Sequence, residues 1–389
     1  NDVMAFDLKT KKRLWRYENP VRQFPFYSSA VITDGKMILG GRDKIVHALD
    51  VNTGKEVWRR HTVPKPGEPG SETWKDDHDA WITGGGSTWV TGSYDPELNL
   101  VYWGVGNPGP SYDHEYRPGD NLYTDSMIAL DPATGEIKFH YQYTPNDNYD
   151  FDGVNELILV DGIIGGKERK AMIHADRNGF FYALDRTTGE FIYGKPYIKE
   201  INWTKGLDEV TGIPLDYIPE SDLQYYVAEN NPSRNTGNVT MCPNLLGAKN
   251  WPPMAYNPNT NMAYIPNFEA CIVVFNVPAI PGETYKPREW FTGGGFTFMP
   301  QPIASGSLTV VDVATGRVVK KVDHRYPLYG GILTTAGNLV FSSTLNGTVR
   351  AFDAKTLDLL WSFESNIAMN SPIITFAVDG KQYIAAGSG

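Results

Sequence analysis

One short phrase recurs along the chain, and a recurring phrase limits the fold more than any single residue does. It stands as AFDLKTKKRLW from Ala5, ALDVNTGKEVW from Ala48, ALDPATGEIKF from Ala129, ALDRTTGEFIY from Ala183, VVDVATGRVVK from Val310 and AFDAKTLDLLW from Ala351. Looser relatives are SYDPELNLVYW from Ser93 and AYNPNTNMAYI from Ala255. Each copy passes from alternating apolar residues into an Asp, through a turn, and into a second strand that ends on a large residue, the pattern of an antiparallel hairpin. The marker residues of these eight units are Asp7, Asp50, Asp95, Asp131, Asp185, Asn257, Asp312 and Asp353. Units spaced at intervals of this kind suit four-stranded antiparallel blades with longer excursions in some loops. A β-sandwich with chance hairpin similarity is the competing architecture, and six close copies disfavour it. The expectation is an all-β chain forming one eight-bladed β-propeller with tryptophan-docking-type repeats. The aromatics that close the units, Trp15, Trp58, Phe139, Tyr193 and Trp361, are expected to pack between neighbouring blades.

Composition agrees with many strands joined by tight turns, since the 389 residues include 39 Gly, 27 Pro, 22 Tyr, 17 Phe and 10 Trp. A formal net charge of -10 disfavours nucleic acid or an anionic membrane as a partner. No run of residues has the length of a membrane span. The opening NDVMAFD is not a secretory leader and the chain stops at AAGSG, so a trimmed or incomplete piece is expected. Two cysteines, Cys242 and Cys271, build neither a zinc site nor a C-x-x-C pair. Their spacing leaves a disulfide and two buried thiols equally open.

A propeller places its chemistry in the loops around the channel, so the residues that interrupt the repeat are the informative ones. ITGGGSTWV puts three glycines before Trp89, room for something flat to lie against the indole. GVGNPGP holds Asn107 in a rigid loop, and HADRNGFF sets Arg177 before a turn. YDFDGVN carries Asp150 and Asp152, which an extended chain would point to one face with Phe151 opposite. Two carboxylates that close repel unless a positive group lies between them or one is protonated. An Asp-rich turn is the ordinary reading of such a stretch. The alternative is a set of oxygen donors, Asn107, Asp150 and Asp152, for calcium or a similar ion. Asp76, Asp77 and Asp79 read as a solvated loop. The seven histidines lack zinc or haem spacing, and no P-loop, G-x-S-x-G or dinucleotide fingerprint is present.

The motifs GGGSTW, SYDPELNLVYWGVGNPGP, RPGDNLYT, YDFDGVNE, HADRNGFFYALDR and MCPNLLGAKNWPP together closely resemble the quinoprotein alcohol dehydrogenases, methanol dehydrogenases included. The likeness runs nearly continuously from about Glu72 to the end. It implies an eight-bladed propeller that holds pyrroloquinoline quinone (PQQ) and a metal ion and oxidises an alcohol to an aldehyde. It further implies that Trp89 stacks on the quinone with Ser87 at its edge, that Arg177 bonds the quinone oxygens, and that Asn250 contacts the cofactor from the opposite wall. Asn107 would bind the metal and Asp150 would be the general base. Asp152 resembles the residue that marks the lanthanide-using branch, where calcium enzymes have a small side chain. Cys242 and Cys271 match a pair joined as a disulfide, which implies an oxidising compartment, the bacterial periplasm. A soluble cytochrome c is the implied electron acceptor, a homodimer is one option for assembly, and the absence of C-x-x-C-H speaks against covalent haem.

Several residues depart from the family pattern. The stretch ILGGRDKIVHALD replaces a glycine-rich segment that carries a metal-binding Glu. The adjacent-cysteine disulfide is absent, Tyr329 stands where a Trp is usual, expected still to pack on the cofactor, and Ser111 replaces a Trp. Ser111 implies a wider mouth and an alcohol larger than methanol. The departures keep two other readings in view: a non-catalytic propeller that serves as a binding or scaffold module, and an inactive fragment of the enzyme.

Overall fold

The Asp-x-x-Thr-Gly phrase folds as expected, into the turn between the third and fourth strands of a sheet. In the computed structural model, which describes residues 2–21, 24–283, 286, 291–298 and 305–389, Asp50 Oδ1 accepts from the Asn52 and Thr53 amides and from the Thr53 hydroxyl. Gly54 then takes a φ of 68°, which a residue without Cβ adopts at no steric cost. The strands on either side pair antiparallel, with Ala48 opposite Trp58.

Among the described residues five four-stranded antiparallel sheets follow one another along the chain. The first blade comprises Val31–Thr33, Lys36–Gly40, Ile45–Asp50 and Glu56–His61, and the second Ser93–Asp95, Leu100–Val105, Ser126–Leu130 and Ile137–Gln142. The third is Ile158–Ile164, Lys167–Ala175, Phe180–Asp185 and Phe191–Pro196. The fourth is Ala255–Asn257, Met262–Glu269, Ser305–Asp312 and Arg317–His324, and the fifth Ile332–Thr334, Leu339–Ser343, Thr348–Asp353 and Leu359–Glu364. Two-stranded hairpins, Asp2–Phe6 with Arg13–Glu18 and Ile374–Val378 with Lys381–Ala385, lie before and after them. A three-stranded sheet of Val239–Met241, Ile272–Asn276 and Gly294–Phe298 is inserted around the fourth blade. Among the described residues the only helices are short 3-10 turns, and no helix is long and apolar enough to cross a membrane.

One sequence unit does not equal one blade. Asp95 lies in the same sheet as Asp131, and Asn257 in the same sheet as Asp312. The looser units are first-to-second strand hairpins, and they look like the others because Asp95 and Asn257 cap a turn amide in the same way.

Aromatic docking joins the blades. Trp15 Nε1 donates to Val51 O at 2.9 Å, Trp58 Nε1 to Pro132 O at 3.0 Å, and the Tyr193 hydroxyl to Val313 O at 2.6 Å. In each case the acceptor is the residue after the repeat Asp of a neighbouring sheet. Tyr102 and Tyr264, from second strands, do the same to Arg186 O and Ala354 O. A Cβ on Gly135 would sit 2.4 Å from the Trp58 ring, so the glycine of the turn is the seat of the docked aromatic. Trp15 and Trp58 are 8% and 9% exposed, in keeping with packing between blades. Trp361 is 47% exposed and does not share that role among the described residues. Its blade has no described four-stranded neighbour on that side, only the Ile374–Val378 hairpin.

Candidate functional site

Antiparallel strands alternate direction, so second-to-third strand turns and the connections between blades emerge at one end, and the Asp-x-x-Thr-Gly turns at the other. Arg177 follows the second strand of the third blade, and Asn107 the second strand of the second. Ser87, Trp89, Asp150, Asp152 and Asn250 lie in blade-to-blade connections. All seven line one cavity of about 880 Å³, within the size range usual for small-molecule sites.

Glycines let two of these segments run side by side. A Cβ on Gly85 would lie 2.3 Å from Asn107 O, and Gly85 also has φ 73°. The Gly86 amide donates to Asn107 O at 2.9 Å and the Gly106 amide to Ser87 O at 2.8 Å. Thr88, between the two cavity residues Ser87 and Trp89, points the other way and is buried. Its amide donates to Gly41 O, its hydroxyl to Ile45 O, and its own carbonyl accepts from Trp103 Nε1. These bonds fix the indole of Trp89 on the cavity wall.

The acidic segment is not an extended strand, contrary to the reading from its spacing. Asp150 has φ 66°, left-handed and uncommon for a residue with a Cβ. Asp147 holds it there, its carboxylate accepting from the amides of Tyr149, Asp150 and Phe151. Tyr149 and Phe151 stack at 5.2 Å and pack on Trp203 in the core, which leaves Asp150 and Asp152 for the cavity.

The two carboxylates have different partners. Asp150 Oδ1 accepts from the Ser111 hydroxyl at 2.9 Å, and Ser111 Oγ accepts from Asn107 Nδ2 at 2.9 Å. Asp152 Oδ1 accepts from the Asn107 amide at 2.9 Å, and Asp152 Oδ2 lies 2.7 Å from Arg177 Nη2. Burial, and then the charge of Asp152, raise the Asp150 carboxyl to about 6, against the pull of Arg177. Arg177 also donates to Leu245 O, and its Cζ stands 5.6 Å from the Trp89 ring centroid. The repulsion between the two aspartates is therefore met in part by a guanidinium. With Asn107, whose Nδ2 is spent on Pro108 O and Ser111, the wall still offers amide and carboxylate oxygens of the type a hard cation prefers.

The chain matches known proteins along its length. Residues 28–200 and 305–384 match the family described as PQQ, glucose/ethanol/alcohol dehydrogenase, β-propeller domain. The chain belongs to that family. It is 39% identical to the quinoprotein alcohol dehydrogenase PedH of Pseudomonas putida, over all of this chain and 67% of that protein. It is 32% identical to the lanthanide-dependent methanol dehydrogenase of Methylorubrum extorquens, over all of this chain and 68% of the other. Among solved structures, the quinohemoprotein alcohol dehydrogenase ADHIIG of Pseudomonas putida superposes with a TM-score of 0.90 at 33% identity, over all of this chain and 60% of that one. The chain thus spans roughly three fifths to two thirds of the length of these relatives.

Within this propeller Tyr329 stands one layer back from the other expected cofactor residues. Tyr329 does not line the cavity; it packs against Trp251 at 6.0 Å and Phe268 at 5.2 Å between ring centroids, and it is Trp251 that reaches the cavity. Asn250 reaches it too, with its amide donating to Leu246 O and its oxygen accepting from the Trp251 amide. The structure joins Cys242 to Cys271, which takes both sulfurs out of the cluster they form with Glu200 as possible metal ligands. Sequence reasoning missed Trp251, Arg42 and Lys44 as wall residues. The last two had a signal in plain view, basic residues at i and i+2 in a turn after two glycines.

Proposed function

We propose that this chain is the propeller of a PQQ- and metal-dependent alcohol dehydrogenase in which Asp150 takes the hydroxyl proton of the substrate. The observation that carries the reading is the position of Asp150. It is a carboxylate raised to about 6, hydrogen-bonded by Ser111, in the same cavity as an indole and a guanidinium. A carboxylate with a pKa in that range is a competent general base near neutrality. The fit of a flat quinone rests on Trp89 and on the glycine-lined approach of Gly85 and Gly109, and the fit of a cation on the oxygens of Asn107, Asp150 and Asp152.

When bound, the quinone would accept the substrate's hydride and an oxygen-preferring cation would act as Lewis acid. The chain's own residues do the rest. Asp150 accepts the hydroxyl proton as the α-hydrogen leaves, so the alcohol becomes an aldehyde. Ser111 keeps the accepting carboxylate oriented through its bond to Oδ1. Trp89 and Arg177 bound the space in which the flat group lies. Asp152 makes the lanthanide ion the preferred cation, because a second carboxylate favours higher charge. The small Ser111 side chain at the wall suits an alcohol larger than methanol, the disulfide suits the periplasm, and a soluble cytochrome c is the proposed electron acceptor.

The scaffold reading has one observation in its favour, that Arg177 already neutralises Asp152 without any ion. Alcohol-dependent reduction of an artificial electron acceptor, with PQQ and either lanthanum, calcium or no metal, separates the readings. Turnover that is lost in Asp150→Asn supports the dehydrogenase. A folded protein that binds no PQQ and reduces nothing supports the scaffold.

A further inference from the structure

Ser111 and Asp150 reach their hydrogen bond from two separate segments. Residues 107–111 follow strand Leu100–Val105, and residues 143–152 follow strand Ile137–Gln142. Arg117 stands where the two segments pass each other, and its side chain is fully buried. A buried charge is costly unless its donors are satisfied and its charge is opposed, so the groups around this guanidinium tell what it holds.

Its fork reaches both segments at once. On the first, Nε donates to Pro110 O at 3.0 Å and Nη2 to Ser111 O at 3.3 Å; on the second, Nη2 donates to Asp147 O. Nη1 donates to Asn121 Oδ1 at 2.8 Å, and Asn121 Nδ2 returns a bond to Arg117 O at 2.9 Å. Asn146 ties the same turn to the Asp150 segment a second time, its Nδ2 donating to Gly119 O at 2.7 Å. Burial raises the Asp147 carboxyl, and the charge of Arg117 works against that rise. The Asp147 carboxylate caps the amides of Tyr149, Asp150 and Phe151, the bonds that keep Asp150 in its left-handed backbone. Arg117 does not line the cavity. Two routes to Asp150 nevertheless start at its guanidinium, one through Ser111 and its hydroxyl, the other through Asp147 and its amide bonds.

We infer that Arg117 is a positioning residue of the candidate site: its guanidinium fixes the spacing of the Ser111 and Asp150 segments, and with it the Ser111–Asp150 bond and the gap between the oxygen donors Asn107 and Asp150. The inference rests on the reading of Asp150 as base and cation ligand. Arginine suits the task because a rigid planar fork bonds oxygens on several sides at fixed angles, whereas a lysine ammonium offers three donors from one point on a flexible stem. A misplacement of about 1 Å in reacting groups costs about 100-fold in rate, so spacing, not contact with the substrate, is what Arg117 contributes.

The test is Arg117→Lys, which keeps the charge and removes the fork. With alcohol, PQQ and lanthanum it should lower kcat and kcat/KM together by about 10- to 100-fold, leaving the KM for alcohol nearly unchanged. Arg186→Lys is the control for stability: Arg186 is 5% exposed and bridges Asp95 and Asp161 at the Asp-x-x-Thr-Gly end of the strands, so that variant should melt earlier and keep its kcat. The losses from Arg117→Lys and Ser111→Ala should fall short of adding, because both act on one carboxylate. A readout independent of turnover is lanthanum affinity without PQQ, by isothermal titration, which Arg117→Lys should weaken by about tenfold and Arg186→Lys should not. Should Arg117→Lys fail to fold, Asn121→Gly, at φ 59° where glycine fits, removes the amide that orients Nη1 and should give a smaller loss of the same kind. A folded variant whose kcat and lanthanum affinity match the wild type, or fall no further than in Arg186→Lys, overturns the positioning role and leaves the dehydrogenase reading intact. A wild-type protein that binds lanthanum but turns over no alcohol overturns that reading, and the affinities alone then decide the role of Arg117. A wild-type protein that does neither overturns both.

Discussion

Arg177 and Asp152 face each other at 2.7 Å with side chains only 6% and 9% exposed, a buried ion pair on the wall of the channel cavity. Breaking such a pair from one side leaves an uncompensated charge, which costs about 3–5 kcal/mol. Arg177→Ala should therefore lower the free energy of unfolding in urea by an amount of that order. Adding Asp152→Asn to it should restore most of the loss. If the double variant is as unstable as the single one, the guanidinium acts through its packing on Trp89 rather than through Asp152.

On the proposed reading the same pair sets the affinity for a cation. Asp152→Ala should weaken lanthanum binding by at least about tenfold, since it removes a charged oxygen donor. Isothermal titration of the PQQ-loaded protein measures this directly. Equal affinity in the variant would assign the ion to Asp150 and Asn107 alone.

The pH dependence follows from the sign of the shift at Asp150. Its folded pKa, about 6, lies above the ordinary carboxylate value, so the protonated form is the one the metal-free fold favours. That contribution to stability is complete below the ordinary carboxylate range and is lost as pH rises through about 6. Melting temperatures of the metal-free protein should fall across that window, and less steeply in Asp150→Asn, where the buried Asp125 and Asp147 carboxyls, also raised by burial, still contribute. Proton abstraction needs the ionised form, so kcat/KM should rise through the same window. A bound cation favours the carboxylate and should move the rise to lower pH.

The seams between blades make a separate prediction. Gly54→Ala places a methyl group 2.5 Å from the Trp15 ring at a φ of 68°, and should destabilise the chain by about 1–3 kcal/mol. Lys11 occupies the corresponding turn position in the first hairpin with φ 58°, and Lys11→Gly should cost little or even stabilise. Thermal melts of the two variants compare the positions.

On the proposed reading substrate breadth turns on Ser111. Longer primary alcohols should be turned over with a higher kcat/KM than methanol, and Ser111→Trp should reverse the order by narrowing the space beside Asp150. A clear preference of the unaltered protein for methanol would assign the width of the mouth to other residues.

What could be read from sequence was local chemistry. The Asp-x-x-Thr-Gly turn announces itself because its side-chain to backbone bonds lie within a few residues, as at Asp50. The same locality misleads at Asp95 and Asn257, where one cap chemistry serves a different hairpin of the same sheet. Asp150 and Asp152 were legible as a pair, yet the left-handed backbone that aims Asp150 depends on Asp147, which no periodicity marks. Tyr329 was placed on the cofactor by likeness, and it packs edge-on against Trp251, which lines the cavity. Arg42 and Lys44 were visible as a basic pair after two glycines, but what sets their turn on the wall is a distant partner, Thr88, which ties it to Trp89.

The two ends of the blades carry separate duties: the docked aromatics and their Asp-x-x-Thr-Gly seats lie at one, and the cavity residues at the other. Changes in loop length or side chain at the cavity end leave the stitching untouched. A chain organised in this way can shorten a connection at the cavity end, as in the turn that carries Arg42, without unseating a docked aromatic. The seams between sheets are stitched at one rim and the cavity is shaped at the other, so a loop at the cavity end can change while every docked aromatic keeps its seat.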